Sequence, residues 1–143
     1  MRQGFQTEQF KVSTEDGRNF TLLEAVRYLS NDGTLFEIPF GATSDGASTP
    51  SGLWPMIPPF GPYWKAAFLH DSAYRNTLRK VTTLNAGVEI LTLAELSKES
   101  CDELLKEAMK SLQVHEALII EIYEGVRFAG WSSFEEDRKQ FNS

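Results

Sequence analysis

The sequence predicts an α+β domain, and three observations carry that expectation. The first forty residues hold short β-branched and aromatic runs separated by Gly-containing turns, the pattern of an antiparallel sheet. Residues 63–131 hold segments whose apolar side chains recur at spacings of three and four, the period of helices that bury one face. Between the two, residues 41–62 hold five of the six prolines and four of the ten glycines, so regular structure is expected to stop there.

Taken in order, "FKVST" (10–14) is a strand, and "EDGRN" turns it into "FTLLEAVRYLS" (20–30), of which residues 22–28 could instead form a helical turn. "NDG" (31–33) carries an Asp-Gly pair suited to a tight hairpin. The next strand is "TLFEIPF" (34–40), with Leu35, Glu37 and Pro39 on one face and Phe36, Ile38 and Phe40 on the other. Residues 1–40 thus read as one small antiparallel sheet. The loop "GATSDGASTPSGLWPMIPPFGP" (41–62) contains Leu53, Trp54, Met56, Ile57 and Phe60, which need burial, so a structured loop is expected rather than a disordered one.

Pro62 suits the first turn of a helix. In "YWKAAFLHDSAYRNTL" Trp64, Ala67, Phe68, Asp71, Tyr74 and Leu78 share a stripe, with Ala66, His70 and Ala73 beside it. "KVTTLNAGVEILTL" reads as a hairpin inserted among the helices, turning near residues 85–87. "SKESCDELLKEAMKSLQ" is an amphipathic helix that Ser97 can cap, and "VHEALIIEIYEGVRFAGW" follows with Leu118, Ile119, Ile122, Tyr123 and Val126 inward. Residues 132–143 form a polar tail, expected to be flexible. A chain of 143 residues is one domain of ordinary size, 1–143, without repeat or linker.

Composition narrows the function classes. Twenty acidic against fourteen basic residues give a net charge of -6, which opposes a phosphate backbone, so no nucleic-acid partner is expected. Arg75, Arg79 and Lys80 are the densest basic group, too few for a nucleic-acid groove. The lone Cys101 excludes an internal disulfide and a cysteine-rich zinc module, and it reads as packed in a helix interface. Residues 1–14 lack the apolar core of a signal peptide, and the longest apolar run, near residues 117–120, is too short for a transmembrane segment. A soluble chain is expected, in a host cytoplasm or associated with a virion.

The chemistry concentrates in "FLHDSAY" (68–74), which holds one of the two histidines. Asp71 lies on the stripe of Phe68 and Tyr74, while Asp102 shares its helix face with Leu105, Met109 and Leu112. Two inward carboxylates are costly unless paired, hydrogen-bonded or metal-bound. Packing the two helices would let Asp102 orient His70 through one ring nitrogen, leaving the other to take a proton or bind a metal. The same His70, Asp71, Tyr74 and Asp102 network could equally lock two helices together. Arg127 falls on the inner side of its helix, as an ion-pair partner for a buried aspartate rather than a substrate clamp. His115, at a helix start, is expected to be exposed and without a role. In "TSDGASTP" Asp45, with Ser48 and Thr49 close by, reads either as an Asx-type turn or as a set that ligates a hard cation or positions a water. No Gly-rich phosphate loop, H-E-x-x-H or G-x-S-x-G is present.

The blocks "IPFGATSDGASTP", "WKAAFLHDSAY", "SCDELLKEAM" and "YEGVRFAGW" resemble an uncharacterised family of tailed phages and prophages, domain of unknown function 1353. Their order and spacing agree from about residue 28 to 131, and Ser44-Asp45 stands where that family usually has Thr-Asp. The resemblance implies a phage or prophage origin and no particular activity. The His-Asp-x-x-Tyr helix is also similar to that of secreted calcium-dependent phospholipases. By that similarity His70 would deprotonate water, Asp71 would ligate calcium, and Tyr74 and Asp102 would orient the histidine. The disulfides of those enzymes are absent, and their calcium loop has no counterpart unless residues 45–48 replace it.

The expectation is therefore a phage-encoded hydrolase, with or without metal assistance, in which His70 is the general base, Asp71 and Asp45 are ligands of a divalent cation, calcium or zinc, or position a water, and Trp54, Phe60 and Ser48 line the substrate. The alternative is a non-enzymatic phage accessory protein, a virion or tail component or a binder of a host protein, with a structural His/Asp cluster.

Overall fold

The computed structural model describes residues 1–17, 19–44, 63–129 and 134. They form an α+β fold of eight short strands and three helices. The strands are β1 (Gly4–Phe5), β2 (Val12–Ser13), β3 (Phe20–Leu22), β4 (Val26–Leu29), β5 (Leu35–Ile38), β6 (Thr43–Ser44), β7 (Arg79–Thr83) and β8 (Glu89–Leu93). The helices are α1 (Trp64–Tyr74), α2 (Lys98–Ser111) and α3 (Glu116–Ala129).

Two antiparallel sheets replace the single one expected. One has the order β1-β4-β5-β7-β8 and the other β2-β3-β6. The run 20–30 is not one strand: it breaks between Leu22 and Val26, and its halves enter different sheets. Glu24 and Ala25 at the break are poor strand formers. The expected hairpin at 79–93 is present, and it extends the N-terminal sheet because β7 pairs with β5, Leu35 opposite Val81. Both expected turns also form. Thr14 and Asp16 accept from the amides of Gly17 and Asn19, and Ser30 N donates to Thr34 O at 2.9 Å.

Alternation in the large sheet sends Val26, Tyr28, Phe36 and Ile38 into the core. Phe40, expected on that same face, is 71% exposed. β5 stops at Ile38, since Pro39 has no N–H to extend the ladder, and the chain reverses through Gly41 at φ +86° into β6.

α1 is buried on every side from Ala66 to Tyr74, not along one stripe, because it packs against α2, β5 and β6 together. It ends four residues before Leu78, at a reversal through Asn76 with φ 59°, and Leu78 is still buried. Pro62 lies outside the described residues. Ser97 caps α2 as expected, its hydroxyl accepting from Ser100 N at 3.1 Å. α2 is tied to the sheet by Tyr28, whose hydroxyl donates to Glu107 at 2.7 Å, and α3 packs on α2 through Ile119, Ile122 and Val126. His115 is exposed, yet its Nδ1 accepts from Ala117 N at 3.1 Å and so caps α3, a role not foreseen. Most of 132–143 lies outside the described residues, but Phe134 meets the Tyr74 ring edge-on at 5.3 Å.

Candidate functional site

The helical periods of α1 and α2 bring His70, Tyr74 and Asp102 together at the buried junction of the two helices. His70 Nε2 lies 2.9 Å from Asp102 Oδ1, across 32 residues of sequence. Tyr74, one turn beyond His70, donates its hydroxyl to the same oxygen at 2.6 Å. The two rings lie against each other at 4.0 Å between centroids, tilted by 47°, so each limits the other's rotation. Asp102 is fully buried and His70 5% exposed, which leaves this carboxylate dependent on protein donors alone.

The second oxygen of Asp102 is occupied from the other side. Lys98, one turn earlier on α2, places Nζ 2.7 Å from Oδ2 and also donates to Val126 O at 3.0 Å. Arg127 Nη1 approaches Oδ2 at 3.4 Å, as its inward position suggested. Lys98 was not read from the sequence. Its signal was the i,i+4 spacing to an aspartate already assigned to the inner face.

Burial pushes the Asp102 carboxyl up, but the hydrogen bonds from His70, Lys98 and Tyr74 outweigh it and hold the carboxyl at about 2. Burial, reinforced by the bond to Asp102, pushes the Tyr74 phenol far up, so it remains a donor. An ionised Asp102 assigns the proton to His70 Nε2, which makes Nδ1 the lone-pair nitrogen of the neutral ring. Among the described residues Nδ1 has no hydrogen-bond partner.

Asp71 does not join that carboxylate network. Its Oδ2 accepts from Ser44 Oγ at 2.8 Å, with both residues buried, and this bond docks β6 on α1. Ser44, noted in the sequence merely as a departure from a family pattern, is therefore a working partner of a candidate site residue. Asp45, Ser48, Trp54 and Phe60 lie outside the described residues. Cys101 is buried in the helix interface. Among the described residues no group of three or more His, Cys, Asp or Glu side chains is placed to hold a metal ion. No helix among the described residues is long and apolar enough to cross a membrane.

The arrangement can fix one tautomer and one ring orientation of a histidine, keep its partner carboxylate ionised, and offer the remaining nitrogen as a base. The chain belongs to the family of proteins of unknown function DUF1353, whose model matches residues 20–126. That span contains both sheets except β1 and β2, and every residue named in the network apart from Arg127. No curated protein and no solved structure matches the chain.

Proposed function

We propose that this DUF1353 protein, in a phage or prophage setting, is a hydrolase in which His70 is the general base and Asp102 its orienting partner. The observation that supports this most directly is the shared oxygen: His70 Nε2 and Tyr74 Oη both bind Asp102 Oδ1, at 2.9 and 2.6 Å. A carboxylate held ionised at about 2 stabilises the imidazolium that forms when Nδ1 takes a proton from water. The proton taken up by Nδ1 would then be handed to the leaving group, returning the ring to its starting tautomer. Lys98 and Arg127 complete the shell by anchoring Oδ2, so that Asp102 does not turn away from the ring when the ring's charge changes.

A second reading is favoured by a different observation. With Asp102 fully buried and four side-chain and backbone groups of α1 and α3 converging around it and Lys98, the cluster also has the makings of a lock in an accessory binding protein. Turnover of a panel of chromogenic esters and amides by the wild type and His70→Gln separates the two. The hydrolase reading expects at least one ester to turn over and the variant to lose about 100-fold or more, at an unchanged far-ultraviolet circular dichroism spectrum. Equal turnover in the variant, or none in the wild type across the panel, would leave the lock as the function of the cluster.

A further inference from the structure

The basic group at 75–80 is too small for a nucleic-acid groove, but the fold puts two of its arginines to another use. Arg75 and Arg79 both line a pocket of about 330 Å³ at the C-terminal end of α1. Its size lies within the range of small-molecule sites. Among the described residues no carboxylate lines it and none pairs with either arginine, in a chain whose net charge is -6. Glu37, the cross-strand neighbour of Arg79, is bonded to Arg27 instead, and two arginines that no carboxylate bonds among the described residues would attract an anion.

The geometry is prepared as well as charged. Arg75 directs Nη1 at the carbonyl and hydroxyl oxygens of Thr43, which fixes the plane of its guanidinium. Nε and Nη2 are the donors left on that fork, and neither has a partner among the described residues. The chain reverses at Asn76, φ 59°, a conformation asparagine tolerates better than most residues, and this brings Arg79 to the same mouth. The hydroxyls of Ser72 and Thr77, 2.9 Å apart, add polar lining. The lining also has an apolar part, Phe40, 71% exposed, and Leu93, 50% exposed and the cross-strand neighbour of Arg79.

We propose that this pocket binds a small phosphate monoester, with the phosphoryl group between Arg75 and Arg79 and an apolar body over Phe40 and Leu93. Two guanidinium forks match the charge and the several oxygens of a phosphate dianion better than the two oxygens of a carboxylate. The volume exceeds what an inorganic ion fills, and the exposed Phe40 and Leu93 supply the surface that an organic body would cover. The site uses neither His70 nor Asp102 and stands apart from the hydrolase reading. It shares only the β6–α1 seam, where Ser44 serves Asp71 and its neighbour Thr43 serves Arg75.

Calorimetric titration at low salt with phenyl phosphate, inorganic phosphate and benzoate tests it on the full chain. Phenyl phosphate should bind more tightly than either of the other two. Arg79→Gln, at an exposed position that leaves folding untouched, should weaken both phosphates about tenfold or more. Lys110→Gln, an exposed change elsewhere, should weaken neither. Phe40→Ser should erase the advantage of phenyl phosphate over inorganic phosphate. Absence of phosphate binding, or equal losses in Arg79→Gln and Lys110→Gln, would overturn the site. Benzoate binding as tightly as phenyl phosphate would overturn its assignment to phosphate.

Discussion

Lys98 and Asp102 stand one turn apart on α2 and meet as an ion pair shut away from water, Nζ 2.7 Å from Oδ2, with the lysine 2% and the aspartate 0% exposed. Such a pair adds little over a well-packed apolar substitute, because both charges lose their hydration. Its consequences appear when one partner is removed.

Lys98→Met should therefore destabilise the fold by roughly 3 kcal/mol, since Asp102 stays buried with a weaker set of donors. Asp102→Asn should cost less, because the amide oxygen still accepts from Tyr74 or His70. The double variant should fall well short of the sum of the two, as the second change removes a charge the first had stranded. Urea melts of the three proteins measure this. Strict additivity would mean that the two side chains do not interact in solution.

Acid should reveal the same carboxylate. Its folded value of about 2 lies below the ordinary 3.8, so as pH falls the unfolded chain takes up this proton before the native state does. The stabilisation is whole above roughly pH 4 and is lost as pH drops towards 2, about 2 kcal/mol in all. Asp102→Asn has no such proton to gain. The stability difference between wild type and Asp102→Asn should thus shrink between pH 4 and pH 2, and a difference constant over that window would contradict the assignment.

The convergence of His70, Tyr74 and Asp102 was legible in the sequence because helical spacing is local: once each residue shares a stripe with large apolar neighbours, the helix itself aims it inward. Arg127 followed by the same logic. Lys98 escaped because a lysine at a helix start is normally solvated, and what buries it is the approach of Val126 on α3, a contact 28 residues away. The split into two sheets was illegible for a similar reason. Nothing in 20–30 says that Phe20 will pair with Ser44 while Tyr28 pairs with Phe36. Strand alternation states which face a residue occupies, not which strand lies beside it. Phe40 illustrates that limit, since alternation through Pro39 continued on paper after the ladder had ended.

Tyr28 should report on how the sheet holds α2. Its buried hydroxyl donates to Glu107 at 2.7 Å and accepts from Gln3 Nε2 at 3.0 Å, and burial pushes the phenol far up. Tyr28→Phe should cost about 1 kcal/mol, because Glu107 keeps a second donor in Asn31 N at 3.0 Å. Glu107→Ala should cost more, since it takes an acceptor from a buried hydroxyl and a partner from the 31–33 turn. Thermal melts that rank the two in the opposite order would show that the hydroxyl, not the carboxylate, is the hinge of this contact.

His70 provides the closing test of how the cluster is built. Replacing it by glutamine keeps an amide N–H able to reach Asp102 Oδ1, so His70→Gln should lose less than about 1 kcal/mol. His70→Phe fills the space beside the Tyr74 ring but offers no donor to an oxygen that now receives two, and should lose roughly 2 kcal/mol. In Tyr74→Phe the same two changes should each cost more, because Oδ1 then has no hydroxyl to fall back on. Urea denaturation of the six proteins decides the ranking. If His70→Gln and His70→Phe melt together in both backgrounds, the Nε2 bond contributes nothing to the fold, and Asp102 is held by Lys98 and Tyr74 alone.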